Sequence, residues 1–112
     1  MVGVTDEDML AAVLAVVQMG GGLAVVQNGL VKSSLPLPVA GLLSERHMRE
    51  VASGIDSCID AAHELGCNLK DPFMTLSFLC LPVIPELKLT DKGLVDVTRF
   101  QFVPLFLERP EL

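Results

Sequence analysis

Leu23-Ala24-Val25-Val26-Gln27-Asn28-Gly29-Leu30-Val31-Lys32-Ser33-Ser34-Leu35 is the stretch that decides the fold. Two apolar, β-prone runs flank Asn-Gly, the pair a two-residue hairpin turn asks for because both central residues take positive φ. The reading is an antiparallel hairpin with strands over 23–27 and 30–35. Pro36 and Pro38 stop the second strand, since neither can donate to a ladder, and 39–43 run on as a loop to Ser44.

On the N-terminal side, Thr5-Asp6-Glu7-Asp8 reads as a helix N-cap with an acidic first turn, where side-chain acceptors meet free N–H groups. Met9, Ala12, Val13, Val16 and Val17 then recur at helical spacing, and Gly20-Gly21-Gly22 ends the helix. On the C-terminal side a second helix is expected from Ser44, with Met48, Val51, Ile55, Cys58, Ile59, Ala62 and Leu65 along one stripe and most charges off it. Gly66 closes it. Gly54 sits mid-helix at a cost of about 1 kcal/mol relative to Ala, so it marks a close contact or a kink.

Asp71-Pro72 opens a third, short helix that is apolar nearly all round (Phe73, Met74, Leu76, Phe78, Leu79, Leu81) and therefore asks to be buried. Pro82 and Pro85 end it. A short strand over 87–89, a turn at Thr90-Asp91-Lys92-Gly93 and an apolar extended tail over 100–107, interrupted by Pro104, complete the chain. The fold class expected is α/β in the α+β sense: a two-layer sandwich with a mixed sheet, the hairpin within it and helices packed on one face. At 112 residues, 1–112 is read as a single domain.

A formal net charge of -6, with 8 Lys+Arg against 14 Asp+Glu, offers no footprint for nucleic acid or an anionic membrane. The apolar fraction, 51% with only 20% charged residues, is high for a small domain. Some of that surface should therefore face a partner, around Phe73, Met74, Phe78 and the tail 100–107. No charged residue lies between Asp8 and Lys32, but the glycines and Asn28 break that stretch into a helix and two strands, against a membrane span. The start lacks the basic region and cleavage site of a signal peptide. Cys58, Cys67 and Cys80 are odd in number and unpaired in pattern, as for reduced thiols, which makes cytoplasm the expected location.

A hydrolytic metal needs ligands converging in threes or fours. His47 and His63 lie sixteen positions apart on one expected helix, about 24 Å at 1.5 Å rise per residue, too far to share an ion. Cys58 with His63 is a nucleophile–base idea, but a five-residue offset puts the two on different helix faces. Gly20-Gly21-Gly22 follows a helix and enters a strand, whereas a phosphate cradle precedes a helix N-terminus. Capping accounts for Asp6, Glu7 and Asp8 without a cation. No residue is assigned a catalytic or metal-binding role, and none is assigned to substrate.

Several strings carry a resemblance. They are Gly20-Gly21-Gly22-Leu23-Ala24-Val25-Val26, Leu35-Pro36-Leu37-Pro38-Val39-Ala40-Gly41-Leu42, Leu65-Gly66-Cys67 and Asp71-Pro72-Phe73-Met74-Thr75-Leu76-Ser77-Phe78-Leu79. Another is Leu81-Pro82-Val83-Ile84-Pro85-Glu86-Leu87-Lys88-Leu89-Thr90-Asp91-Lys92-Gly93-Leu94-Val95-Asp96-Val97. In this order, from about Gly3 to Phe106, the chain resembles the C-terminal domain of adenine deaminases. The resemblance implies a parent enzyme of the amidohydrolase type, in which a water activated by manganese, iron or zinc attacks C6 of adenine, releasing ammonia and leaving hypoxanthine. It further implies that the metal ligands lie on a β/α barrel N-terminal to this segment. In the family a His-Asp-Ser-His-Asn stretch is expected just before the strand that would end at Val2-Gly3, and Met1 to Val4 look like the stub of a longer strand. None of these family residues maps onto a position of this sequence. The implied role is an accessory, structural one, inactive alone, with a second copy or the parent's barrel as partner. A stand-alone interaction module without deaminase activity is the alternative.

Overall fold

The computed structural model describes residues 1–106, so Leu107, the end of the expected tail, lies outside the described residues. Helix α1 (Asp6–Gln18) leads into strands β1 (Gly22–Gln27) and β2 (Leu30–Pro36). Helices α2 (Met48–Glu64) and α3 (Pro72–Cys80) follow, then strands β3 (Leu87–Thr90), β4 (Gly93–Asp96) and β5 (Gln101–Val103). The α+β class expected from the sequence is the one observed. The strands form two separate antiparallel sheets, β1-β2 and β3-β4-β5, instead of one mixed sheet. The reason lies in the connections: strands that are paired here are also consecutive in sequence and joined by short turns, whereas a parallel pair needs a crossover of roughly a dozen residues or more.

The chain divides into two compact units, Met1–Phe73 and the residues from Met74 onward. In the first, Asn28 and Gly29 take φ of 54° and 74°, the positive values the turn requires, and β1 pairs with β2 from Gly22↔Pro36 to Gln27↔Leu30. The register slips between Val25 and Val26, leaving Lys32 as the extra residue of a bulge. Lys32 Nζ there meets Glu64 Oε2 at 3.1 Å.

Both α1 and α2 lie against this hairpin. Val25 and Leu35 from the strands and Cys58 and Ala61 from α2 form the buried core, with Leu23, Leu37, Val51, Ala62 and Phe73 packed around it. Each fully buried aliphatic side chain of this kind contributes about 1.5–3 kcal/mol. Gly54 is the seat of Leu35: a Cβ there would come within 2.7 Å of Leu35 Cδ1. Close contact, not a kink, is thus what this glycine serves.

Three details differ from expectation. Helix α2 starts at Met48, because Ser44 Oγ accepts from Arg46 N (3.1 Å) in a preceding turn and His47 is the actual cap. In α1, Val13 and Val17 are exposed, while Met9, Ala12, Ala15 and Val16 are half-buried. A helix apolar on every side carries no periodic signal to fix which face turns inward. Residues 1–4 form no strand, no neighbouring strand pairing with them among the described residues.

In the second unit Thr90 and Gly93 close the β3–β4 hairpin, where Thr90 Oγ1 donates to Gly93 O at 2.8 Å. Val97 is buried and its N–H donates to Glu86 O at 2.9 Å. Strand β5 falls inside the expected apolar tail.

Candidate functional site

Each polar residue singled out in the sequence can be followed to its place. His47 caps α2: its Nδ1 accepts from Arg49 N at 3.3 Å. His63 lies in the last turn of the same helix, with Nε2 2.8 Å from Leu69 O, tying the helix end to the loop that follows. The two histidines therefore stand at opposite ends of a 17-residue helix, as their spacing implied.

Cys58 is fully buried, its Sγ 3.4 Å from Ser33 Oγ across the core. A thiol closed off from solvent has no access to a substrate, and His63 is exposed elsewhere. Among the described residues no three His, Cys, Asp or Glu side chains converge in a way that would hold a metal ion. The donor set present does not fit a hydrolytic metal centre, which needs at least three such ligands and an open position.

The glycine triplet is a packing device. Gly21 and Gly22 have φ of +119° and +134°, and a Cβ on Gly21 would overlap Gly41 Cα while one on Gly22 would overlap Leu35 O. The backbone of the 36–43 loop thus lies directly on the glycines, locked by Leu37 N donating to Gly21 O at 3.0 Å. Gly20, by contrast, has nothing within 4 Å of where a Cβ would stand, and serves the turn by its positive φ of 74°.

Thr5 is the N-cap of α1, its Oγ1 accepting from Asp8 N at 3.3 Å. Asp8 does something that sequence reasoning missed. Its Oδ1 accepts from Gly29 N at 2.6 Å and its Oδ2 from Asn28 N at 3.2 Å, so one carboxylate ties the first turn of α1 to the hairpin turn. Such charge-assisted bonds are stronger than neutral ones. The signal was present as an acidic residue beside a turn with free N–H groups, but a twenty-residue separation hides the pairing.

Of the apolar surface expected to face a partner, Met74, Phe78, Phe100 and Phe102 are exposed, whereas Phe73 packs on the core. A second apolar surface, Leu10, Leu14 and Val17 on α1, is exposed as well. No helix among the described residues is long and apolar enough to cross a membrane.

What the geometry defines is an α+β segment whose singled-out polar groups, His47, His63, Cys58 and Asp8, are engaged in capping, loop closure and core packing. The chain belongs to the adenine deaminase C-terminal domain family, whose model matches residues 1–101. An adenine deaminase of Desulfatibacillum aliphaticivorans is 59% identical over 105 residues, 94% of this chain and 18% of that protein. One from Methanothrix thermoacetophila is 55% identical over 107 residues, 96% of this chain and 19% of its own length. One from Clostridium botulinum is 43% identical over 107 residues, again 96% of this chain and 18% of the relative. The chain spans about one fifth of the length of the relatives it matches.

Proposed function

We propose that residues 1–112 act as a C-terminal accessory segment of an adenine deaminase, contributing structure and holding no catalytic or metal-binding residue of its own. One observation carries this: near-complete coverage of the chain, at up to 59% identity, by proteins named adenine deaminase of which it represents only about 18%. The parent reaction is the hydrolysis of adenine to hypoxanthine and ammonia, with a manganese, iron or zinc ion as the expected activator of water. Among the described residues no group of side chains fits that ion, so no step of the reaction is routed through them. A cytoplasmic location agrees with three free cysteines.

The test is an exchange. The matched segment of the Desulfatibacillum adenine deaminase is replaced by this chain, and adenine turnover by the hybrid is compared with the parent and with the parent lacking the segment. The hybrid should retain turnover within roughly tenfold, about 1.4 kcal/mol of barrier, and the shortened protein should lose activity or solubility. A soluble, monodisperse hybrid with no turnover would contradict the reading.

A second reading, self-association as an interaction module, draws support from the exposed Phe100 and Phe102 of the second unit. A sedimentation series read across micromolar concentrations checks it, a constant monomer mass opposing it.

A further inference from the structure

Asn28-Gly29 is the one Asn-Gly pair in the sequence, and it stands at an exposed turn. Asparagine is thermally labile, because its side-chain amide carbon can be attacked by the backbone nitrogen of the residue that follows. A glycine in that following place leaves the nitrogen unhindered, having no Cβ. The turn is also open: a Cβ on Gly29 would meet nothing within 4 Å. Both of its N–H groups are nevertheless engaged, since Asp8 Oδ1 accepts from Gly29 N at 2.6 Å and Oδ2 from Asn28 N at 3.2 Å. Those two nitrogens are the ends of the Asn28 ψ torsion. The same torsion sets how near Gly29 N can come to Asn28 Cγ. One carboxylate holding both nitrogens keeps Gly29 N swung towards Asn28 N, and so away from the Cβ side on which Cγ would be reached.

We propose that Asn28 is a site of spontaneous deamidation and that Asp8 is the residue that restrains it. In the reaction Gly29 N loses its proton and bonds to Asn28 Cγ, the Cγ–Nδ2 bond breaks, and ammonia leaves with the proton. Water then opens the resulting succinimide. Opening at the side-chain carbonyl leaves an aspartate at position 28, and opening at the main-chain carbonyl leaves an isoaspartate. Asp8 opposes the first step twice. It fixes the torsion, and its charge disfavours a second negative charge on the nitrogen it holds. A carboxylate is too weak a base to take the amide proton itself. Either product adds a carboxylate to the turn that Asp8 binds, and like charges there weaken the tie between α1 and the hairpin. Isoaspartate also threads its Cβ into the main chain, lengthening the two-residue turn that Gln27↔Leu30 closes. Chemical ageing of this one amide is thus coupled to release of the first turn of α1.

Timed incubation tests this. The 112-residue chain, its Asp8→Asn and Asp8→Ala variants and an unstructured peptide of residues 23–35 are held at neutral pH, below the melting range. Conversion at position 28 is followed by peptide mass spectrometry in isotopically heavy water, which marks each opened succinimide. The exposed Asn68, followed by the hindering Leu69, serves as internal reference. Val51→Ala, which trims the core from α2 without touching the turn, controls for general loosening. Both Asp8 variants should convert Asn28 at least about tenfold faster than the native chain, a difference of about 1.4 kcal/mol, with Asn68 and Val51→Ala at native rates. The native chain should also convert at least about tenfold more slowly than the peptide, a comparison that needs no variant to fold. Equal rates in native chain and peptide would overturn the proposal. So would Asp8 variants that convert no faster than the native chain, or a Val51→Ala chain that speeds up as much as they do.

Discussion

Helices α1 and α2 rest on the same hairpin, but their outward faces differ in character. Along α2 most of the exposed residues are polar, among them Arg49, Glu50, Ser53, Asp56, Ser57 and Asp60, with Met48, Ala52 and Ile55 exposed beside them. Along α1, beyond the acidic first turn with Asp6 and Glu7, they are Leu10, Val13, Leu14 and Val17, followed by Gln18 at the end. A helix whose outer face is charged has solvent as its final neighbour, whereas one that is apolar all round is built for burial. The inner faces differ too: α2 supplies Cys58 and Ala61 to the buried core, while α1 has no fully buried residue and is held at its first turn by Asp8. The lesson is that two helices can share one hairpin and still differ in what they turn outward, mostly polar side chains on α2 and mostly aliphatic ones on α1.

The sharpest break in that comparison is a charge on the inner side of α2. Cys58→Asp would place a carboxylate in a fully buried position with only Ser33 Oγ nearby. It should cost about 3–5 kcal/mol, enough to unfold a marginal domain, which a far-ultraviolet thermal melt would show. A folded variant with an unchanged melting temperature would mean that α2 does not pack as described. Next comes the hairpin both helices share: Gly29→Val forces a β-branched residue to φ near +74° and should destabilise by about 1–2 kcal/mol in urea titration.

A somewhat smaller effect belongs to the tie that holds α1. Asp8→Ala removes the acceptor of two turn N–H groups at a solvent-exposed site and should cost about 1 kcal/mol, whereas Glu7→Ala, for which no such contact is found among the described residues, should stay within about 0.5 kcal/mol. Equal effects would deny Asp8 its bridging role. The smallest change is expected on the outer side of α1. Leu14→Gln conserves helix propensity and should alter the stability of the free chain by less than about 0.5 kcal/mol, while reducing binding of an apolar-surface dye. A loss of 2 kcal/mol or so, the scale for emptying a core, would show that Leu14 is already covered in the free chain.

Much of this architecture was legible in the residues. Asn28-Gly29, Thr5, the glycine triplet, Gly66 and Pro72 punctuate the chain through backbone chemistry that depends on one or two neighbours, and the turns and helix ends fall where that chemistry puts them. The phase of α1 was not legible, since Met9 and Leu10 are equally apolar and only the tertiary partner decides between them. The separation of the strands into two sheets was hidden for a related reason, pairing beyond a hairpin being set by contacts that no short window contains. At the candidate site, the distance between His47 and His63 followed from helix geometry alone. The Asp8 bridge and the contact of Gly21 with Gly41 did not, because each joins residues about twenty positions apart.

The central claim is that this segment supports an adenine deaminase without performing its chemistry, and one assay reaches it directly. Purified chain is incubated with adenine and, separately, manganese, iron or zinc, and hypoxanthine and ammonia are followed over time. Hydrolysis at an enzymatic rate demands on the order of 10⁶-fold acceleration or more, from an ion held by several ligands and a positioned acid and base. The account predicts no product above the metal-only blank. Turnover that survives purification and disappears when His47 and His63 are both changed to Ala would contradict it.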